Sequence, residues 1–267
     1  MPLRLNPTFR DALATSDRPL AGMWVCTGSP LVAEICAGSG LDWILIDMEH
    51  APNGLESVVA QLHAVSAYPV TPVVRVPIGD VVTIKQVLDL GAQNLLVPMI
   101  SSAAEAEAVV RAVRYPPRGT RGVGSALARS GRWNRVDDYL ANADAHVSLF
   151  VQIETAAGVD AAAEITAVDG VDGVFVGPSD LAASMGVLGE QTHPDVVAAV
   201  HRTFDAVRAA GKPVGVNAFD PAVADAHLAA GASFVLVGAD VSLLARGSEA
   251  LAGRFIPPAE SVERASY

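Results

Sequence analysis

Asp42-Trp43-Ile44-Leu45-Ile46-Asp47-Met48-Glu49-His50 decides how this chain folds. It opens as an unbroken apolar run and closes in a cluster of ionisable side chains. A run of bulky apolar residues without glycine or proline fits a strand buried on both faces, as in a parallel sheet. Ala51-Pro52-Asn53-Gly54 then breaks the chain. Functional groups of α/β folds collect at the carboxyl ends of strands, where loops vary without disturbing the core. Asp47 and His50 are therefore read as an orienting acid and a base, with Glu49 beside them.

Working outward, the same strand–break–helix rhythm recurs. A short leading helix covers Thr8 to Thr15, and Leu20–Val25 is a first strand. Further strands are read at Thr71–Val76, Gln93–Met99, Val147–Glu154, Asp172–Gly177, Lys212–Asn217 and Ser233–Gly238. Helices are read at Pro30–Gly38, Leu55–Ala67, Val81–Leu90, Ala103–Val113, Gly158–Val168, His193–Ala210, Pro221–Ala230 and Val241–Ala252. Eight strands alternating with eight helices in about 250 residues predict one closed (β/α)8 TIM barrel over 1–267. A doubly wound open sheet is the alternative, weakened because no Gly-x-Gly-x-x-Gly follows the first strand. From Ile256 onward the tail is polar and expected to be loose. Arg114 to Ala145 interrupts the rhythm with prolines, glycines and five arginines from Arg118 to Arg135, and is expected to shape the entrance.

Composition narrows the function. The chain has 267 residues, 51% hydrophobic and 18% charged, with a net charge of −11. Such a surface repels phosphate backbones, which argues against nucleic acid as a partner. No apolar run reaches the length of a membrane span, and the N-terminus lacks a signal-peptide core. Cys26 and Cys36 are the only cysteines and read as free thiols in a reducing cytoplasm.

In a barrel the strand ends converge on one mouth. They bring Trp24, Asp47 with Glu49 and His50, Arg75, Gln152 with Glu154, and Asp180. Gln152 and Glu154 share a strand face by period two. Glu154 ends the fifth strand and Asp180 follows the sixth; neighbouring strands lie about 4.8 Å apart, so both carboxylates can reach one ion. A hard divalent cation would relieve their repulsion; a pair of salt-bridged rim residues is an equal reading. Glu49 reads slightly better as a structural partner of a loop amide, and His50 alone as a structural histidine. Asp47 three residues before His50 makes a base dyad an equal reading. A guanidinium such as Arg75 is rarely placed at a barrel mouth without an anion to bind. The lysines, Lys85 and Lys212, fall in a helix and at the wrong end of a strand, so a Schiff-base mechanism has no amine at the mouth.

Several ordered motifs extend this reading: Gly22-Met23-Trp24, Asp42 to Asn53, Val74-Arg75, Pro116-Pro117 with Arg121-Gly122-Val123-Gly124, Val151 to Thr155, and Gly173 to Leu181. From about Gly22 to Arg254 the chain resembles the class II pyruvate aldolases of the aldolase/citrate lyase superfamily. These are the 4-hydroxy-2-oxoheptanedioate and 2-keto-3-deoxy sugar acid aldolases. The resemblance implies metal-dependent, reversible aldol cleavage of 4-hydroxy-2-oxo acids to pyruvate and an aldehyde. It implies Glu154 and Asp180 as ligands of Mg2+, Mn2+ or Co2+, and a base dyad of His50 and Asp47, with His50 acting through a water. Arg75 becomes the enolate-stabilising arginine, and Gln152, Gly177 and Ser179 the pyruvate-binding positions, with Trp24 at the same mouth. Asp89 matches an acid that reaches a neighbouring subunit's site, and Val123 and Asn217 fall at the aldehyde half. The assembly implied is a homohexamer, a dimer of trimers with an exchanged C-terminal helix at Val241–Ala252. Two alternatives remain: a CoA-thioester lyase using the arginines of 118–135, and a barrel that binds 2-oxo acids without turnover.

Overall fold

The structure, a computed structural model, describes residues 3–257. The expected loose tail lies outside the described residues from Pro258 onward. Eight parallel strands close on themselves in sequence order, β1-β2-β3-β4-β5-β6-β7-β8, and β1 pairs with both β2 and β8. This is the predicted barrel, and closure rules out the open sheet.

The chain begins with α1 (Phe9–Thr15), capped by Thr8, whose hydroxyl and backbone are bonded reciprocally with Asp11. β1 (Leu20–Val25), α2 (Pro30–Ala37), β2 (Trp43–Asp47), α3 (Leu55–Ala64), β3 (Thr71–Arg75), α4 (Val81–Asp89), β4 (Asn94–Val97) and α5 (Ala103–Val113) follow. The irregular segment holds a single four-residue helix, α6 (Tyr139–Asn142), among 3-10 turns. β5 (Ser148–Ile153), α7 (Ala156–Asp160), α8 (Ala162–Ala167), β6 (Gly173–Val176), α9 (Pro178–Ser184) and α10 (Pro194–Ala209) come next. β7 (Val214–Asn217), α11 (Pro221–Ala229), β8 (Phe234–Ala239) and α12 (Asp240–Phe255) complete the chain.

Four expectations need correction. The helix expected over Gly158–Val168 is two short helices that part at Ala161, where ψ rises to 7°. α9 was not foreseen. Pro178 starts it, and it carries Asp180 in its first turn. β2, expected over Asp42–Glu49, runs from Trp43 to Asp47, so Glu49 joins His50 in the following loop. The segment 114–145 does not shape the entrance of its own barrel. It joins the end of α5 to the start of β5, which puts it at the opposite end of the barrel. There Arg129 caps α4 by donating to the Leu90 carbonyl at 2.8 Å, and the Arg135 carbonyl accepts from the Leu3 amide.

Alternation along the strands sorts side chains into two layers. Ile44, Ile46, Val74, Leu95 and Val97 pack outward against the helices. Trp43, Leu45, Val73, Leu96, Phe150, Phe175 and Phe234 fill the bore. These rings fit because glycine faces them: a Cβ on Gly22 would overlap Trp43, and one on Gly215 would overlap Phe234. Phe9 of α1 closes the bottom of the bore, its ring 4.9 Å from Trp43 and 5.2 Å from both Phe150 and Phe234. The Phe9 amide donates to Asn94 at 2.7 Å, which ties the plug to β4. Above these rings the inward positions turn polar: Trp24, Asp47, Arg75, Gln152 and Asn217 form the floor of the mouth.

Candidate active site

Register brings the floor together. Asp47 pairs with Arg75 across β2 and β3, so two inward side chains meet side by side. Arg75 Nε and Nη2 each donate to an Asp47 carboxylate oxygen at 2.8 Å, a bidentate fork almost sealed from solvent. The fork geometry is one that lysine could not reproduce. Arg75 Nη1 lies 2.8 Å from Glu49 Oε2 as an ion pair. The guanidinium also stacks on Trp24, 4.3 Å from the ring centre. Trp24 is held in turn by its indole N–H, which donates to Asn217 Oδ1 at 2.7 Å.

Asp47 has further duties. Its carboxylate accepts the backbone amides of Glu49 at 3.0 Å and His50 at 3.3 Å, shaping the loop after β2. Asn53 donates to the Asp47 carbonyl at 2.6 Å, and buried Gln61 donates to Asn53. Sequence reasoning missed Asn53 and Gln61 as supports; the asparagine in the Ala-Pro-Asn-Gly break was the available signal. The expected contact between Asp47 and the His50 imidazole is not formed. Asp47 is fully engaged by Arg75 and two amides, and the imidazole stands in the open mouth, Nε2 4.0 Å from Glu49 Oε2. Glu49 is likewise not a partner of a loop amide; its contact is Arg75.

Glu154 sits across the mouth, only 2% exposed. Its Oε1 accepts the Met99 amide at 2.8 Å, and its Oε2 accepts from Gln152, so both share the inward face as period two requires. Burial pushes the Glu154 carboxyl up to about 7, with the charges of Asp180 and Glu49 adding to the rise. Burial also raises Glu49, opposed by Arg75 and His50 and reinforced by Asp47 and Asp180. Four carboxylates (Asp47, Glu49, Glu154 and Asp180) thus share the mouth: Asp47 and Glu49 pair with Arg75, while Asp180 lies near enough to raise both Glu49 and Glu154. Asp180 and Ser179 are exposed at the start of α9. Cys26, below the same loop, is driven to about 12, first by burial and then by Asp47 and Asp240, and stays a neutral thiol.

Do these groups fit a divalent cation? Among the described residues no three His, Cys, Asp or Glu side chains are close enough to enclose a metal. A hard cation that keeps several waters needs only one or two carboxylates. Glu154 and Asp180 would supply that donor set, and the excess of acid over base would supply the charge. Gln152 Oε1 is buried beside Glu154 without a partner. A Cβ on Gly177 would come within 2.6 Å of Glu154 Oε2 and 3.0 Å of Gln152 Nε2, so glycine keeps that cradle clear. The residues fit the group.

The model of one protein family, HpcH/HpaI aldolase/citrate lyase, matches residues 20–247. The chain belongs to that family. It is 52% identical over 257 residues to the hydroxypyruvate/pyruvate aldolase of Deinococcus radiodurans, covering 95% of this chain and 92% of the relative. It is also 52% identical over 251 residues to the 4-hydroxy-2-oxo-heptane-1,7-dioate aldolase of Salmonella dublin, covering 94% and 95%. Among solved structures, a HpcH/HpaI aldolase/citrate lyase family protein from Burkholderia cenocepacia superposes with a TM-score of 0.88 at 43% identity, covering 92% of this chain and 97% of the other. The chain is an aldolase, a carbon–carbon lyase of the HpcH/HpaI type.

Two candidate residues of this HpcH/HpaI chain stand apart from its own mouth. Asp89 ends α4 at the far end of the barrel, 3.4 Å from Arg121, a fully buried guanidinium over the Tyr115 ring. Val123 is exposed in the same region, where the adjoining Gly124 abuts Asp89. Trp24, Arg75, Gln152, Glu154, Gly177, Ser179, Asp180 and Asn217 all sit at the strand ends around one opening.

Proposed function

We propose that this aldolase cleaves 4-hydroxy-2-oxo acids to pyruvate and an aldehyde, reversibly and with a divalent cation held by Glu154 and Asp180. The observation that carries the reading is the buried Arg75 clamped by Asp47 at a mouth that also gathers Glu49, Glu154 and Asp180, with Gly177 keeping the Glu154–Gln152 cradle clear. Bound there, Mg2+, Mn2+ or Co2+ supplies Lewis acidity that stabilises the enolate charge.

The chain's own residues do the rest. Arg75 offers fixed positive charge to the developing enolate, already oriented by Asp47 and Trp24 and screened little by water. Gln152 and the backbone at Gly177 and Ser179 position the 2-oxo acid. His50 accepts the 4-hydroxyl proton, directly or through a water, and its open position by Glu49 lets it move toward substrate. Asp47 acts on His50 through the loop it bonds, rather than through the ring.

The oligomer belongs to the same reading. α12 presents Leu243, Leu244, Leu251 and Phe255 to solvent, each more than 60% exposed, and α2 presents Leu31 and Ile35. Apolar faces of this kind suit a homohexamer with an exchanged C-terminal helix. Asp89 and Val123 would then complete a neighbour's mouth. The free thiols suit a reducing cytoplasm. Within one barrel nothing supports the CoA-thioester alternative, because the arginines of 118–135 lie away from the chain's own mouth.

Incubating the protein with pyruvate, an aldehyde and Mn2+ should give a 4-hydroxy-2-oxo acid. Product formation undiminished by exhaustive chelation would overturn the proposal.

A further inference from the structure

At the end of the barrel opposite its own mouth, a cavity of about 630 Å³ lies between α1, the connection from α3 to β3, and the 3-10 turn that begins at Arg129. The feet of β3 and β4 form its floor. Arg129 and Arg132 line one side of it. Their ends converge: a Cβ on Gly91 would lie 2.5 Å from Arg129 Nη1 and 2.8 Å from Arg132 Nη1, so both guanidinium groups crowd one point.

Neither cation is matched by an acid among the described residues. Arg129 Nη1 donates to the Leu90 carbonyl at 2.8 Å, and Arg132 Nη1 to the Arg129 carbonyl at 2.6 Å. No Asp or Glu lines the cavity. Acid is not scarce in this chain, which has 29 Asp and Glu against 18 Lys and Arg. Burial, then the charge of Arg132, pushes Arg129 down to about 10, and both arginines add to the lowering of His63. An oxyanion between the two forks would relieve that repulsion and accept from N–H groups that carbonyls leave unused. The rest of the wall is different in kind. Leu62, Val65, Val70 and Pro72 make it apolar. Its amide and phenol groups are already engaged: Asn94 donates to the Pro72 carbonyl, Gln93 to the Asn6 carbonyl, and Tyr68 to Glu34. The cavity therefore offers charge on one side and apolar surface on the other, in a volume that suits a small organic molecule.

We propose that this cavity is a second binding site, which takes a small organic carboxylate with its charged end between Arg129 and Arg132 and its apolar body against Leu62, Val65 and Val70. The guest is a ligand of the scaffold and not a substrate, so the inference stands apart from the aldolase reading. By bridging α1, the α3–β3 connection and the turn at Arg129 it stabilises the folded chain.

The test is calorimetric titration of the whole protein with benzoate at fixed ionic strength. The wild type should bind it with a Kd of about 1 mM or tighter. Benzamide, which lacks the charge, and inorganic phosphate, which lacks the apolar body, should each bind at least about tenfold more weakly. Arg132→Gln leaves the Arg129 cap on α4 in place and should weaken benzoate by about tenfold; Arg129→Gln should do the same. Ala67→Glu, at an exposed position of the wall, brings a carboxylate beside the guest without touching either arginine. It should weaken benzoate by about threefold while the melt stays cooperative. Glu154→Gln should bind benzoate as the wild type does, which separates this cavity from the mouth. No binding to the wild type, benzamide or phosphate bound as tightly as benzoate, an affinity unmoved by all of the cavity substitutions, or an affinity lost in Glu154→Gln would overturn the proposal.

Discussion

At Arg75 a single side chain carries stability and, in the proposed mechanism, chemistry. Removing it leaves the Asp47 carboxylate buried without its partner, which costs about 3–5 kcal/mol. Arg75→Ala should therefore unfold earlier in urea and lose activity together. Arg75→Lys keeps the charge but not the fork, and kcat should fall about 10²- to 10³-fold with a smaller stability loss. Glu154 sets the pH dependence. Its carboxyl titrates near 7 in the folded chain against 4.5 ordinarily, so the folded state binds a proton that the unfolded state releases. Without metal, stability should fall as pH rises from about 4.5 through about 7, visible in thermal melts. With Glu154 as the proposed ligand, proton and cation would compete for the same oxygen, so Mn2+ affinity should weaken about tenfold per pH unit below 7 and level off above. Gly177→Ala should weaken Mn2+ binding in calorimetry while the melt stays cooperative, because the added Cβ meets the Glu154 carboxylate.

Single elements show where sequence reading succeeds. β2 was legible because its apolar run and its ionisable end are both local, and period two correctly paired Gln152 with Glu154. α9 was not legible, being seven residues long and opened by a proline that reads equally as a turn. The fork between Asp47 and Arg75 depends on register across two strands, which neither strand states alone. The imidazole of His50 was misplaced because the loop amides claimed Asp47 first. The place of 114–145 was readable from chain order, since a helix-to-strand connection returns to the bottom of a barrel; its arginines suggested otherwise. α1 yields the prediction at this scale. Phe9 plugs the bore, 1% exposed among three rings. Phe9→Ala should cost about 3–5 kcal/mol and lower Tm by roughly 10 °C, with the mouth chemistry retained in the folded fraction.

The barrel as a whole separates its two jobs. The lower bore is aromatic and packed; the upper end is ionic, crowded with acid and destabilised by it. A cation at the mouth would relieve that charge and stabilise the fold by linkage. α12 leaves apolar side chains bare, which the proposed hexamer would cover. Leu243→Asp with Leu244→Asp should convert the native oligomer to smaller species by light scattering; a wild type that is itself monomeric would contradict the hexamer. The most direct test of the central claim follows the methyl protons of pyruvate in D2O by NMR. With Mg2+ or Mn2+, the wild type should exchange them without any aldehyde, and Glu154→Gln should lose that exchange. Exchange that persists unchanged after complete chelation would contradict the account.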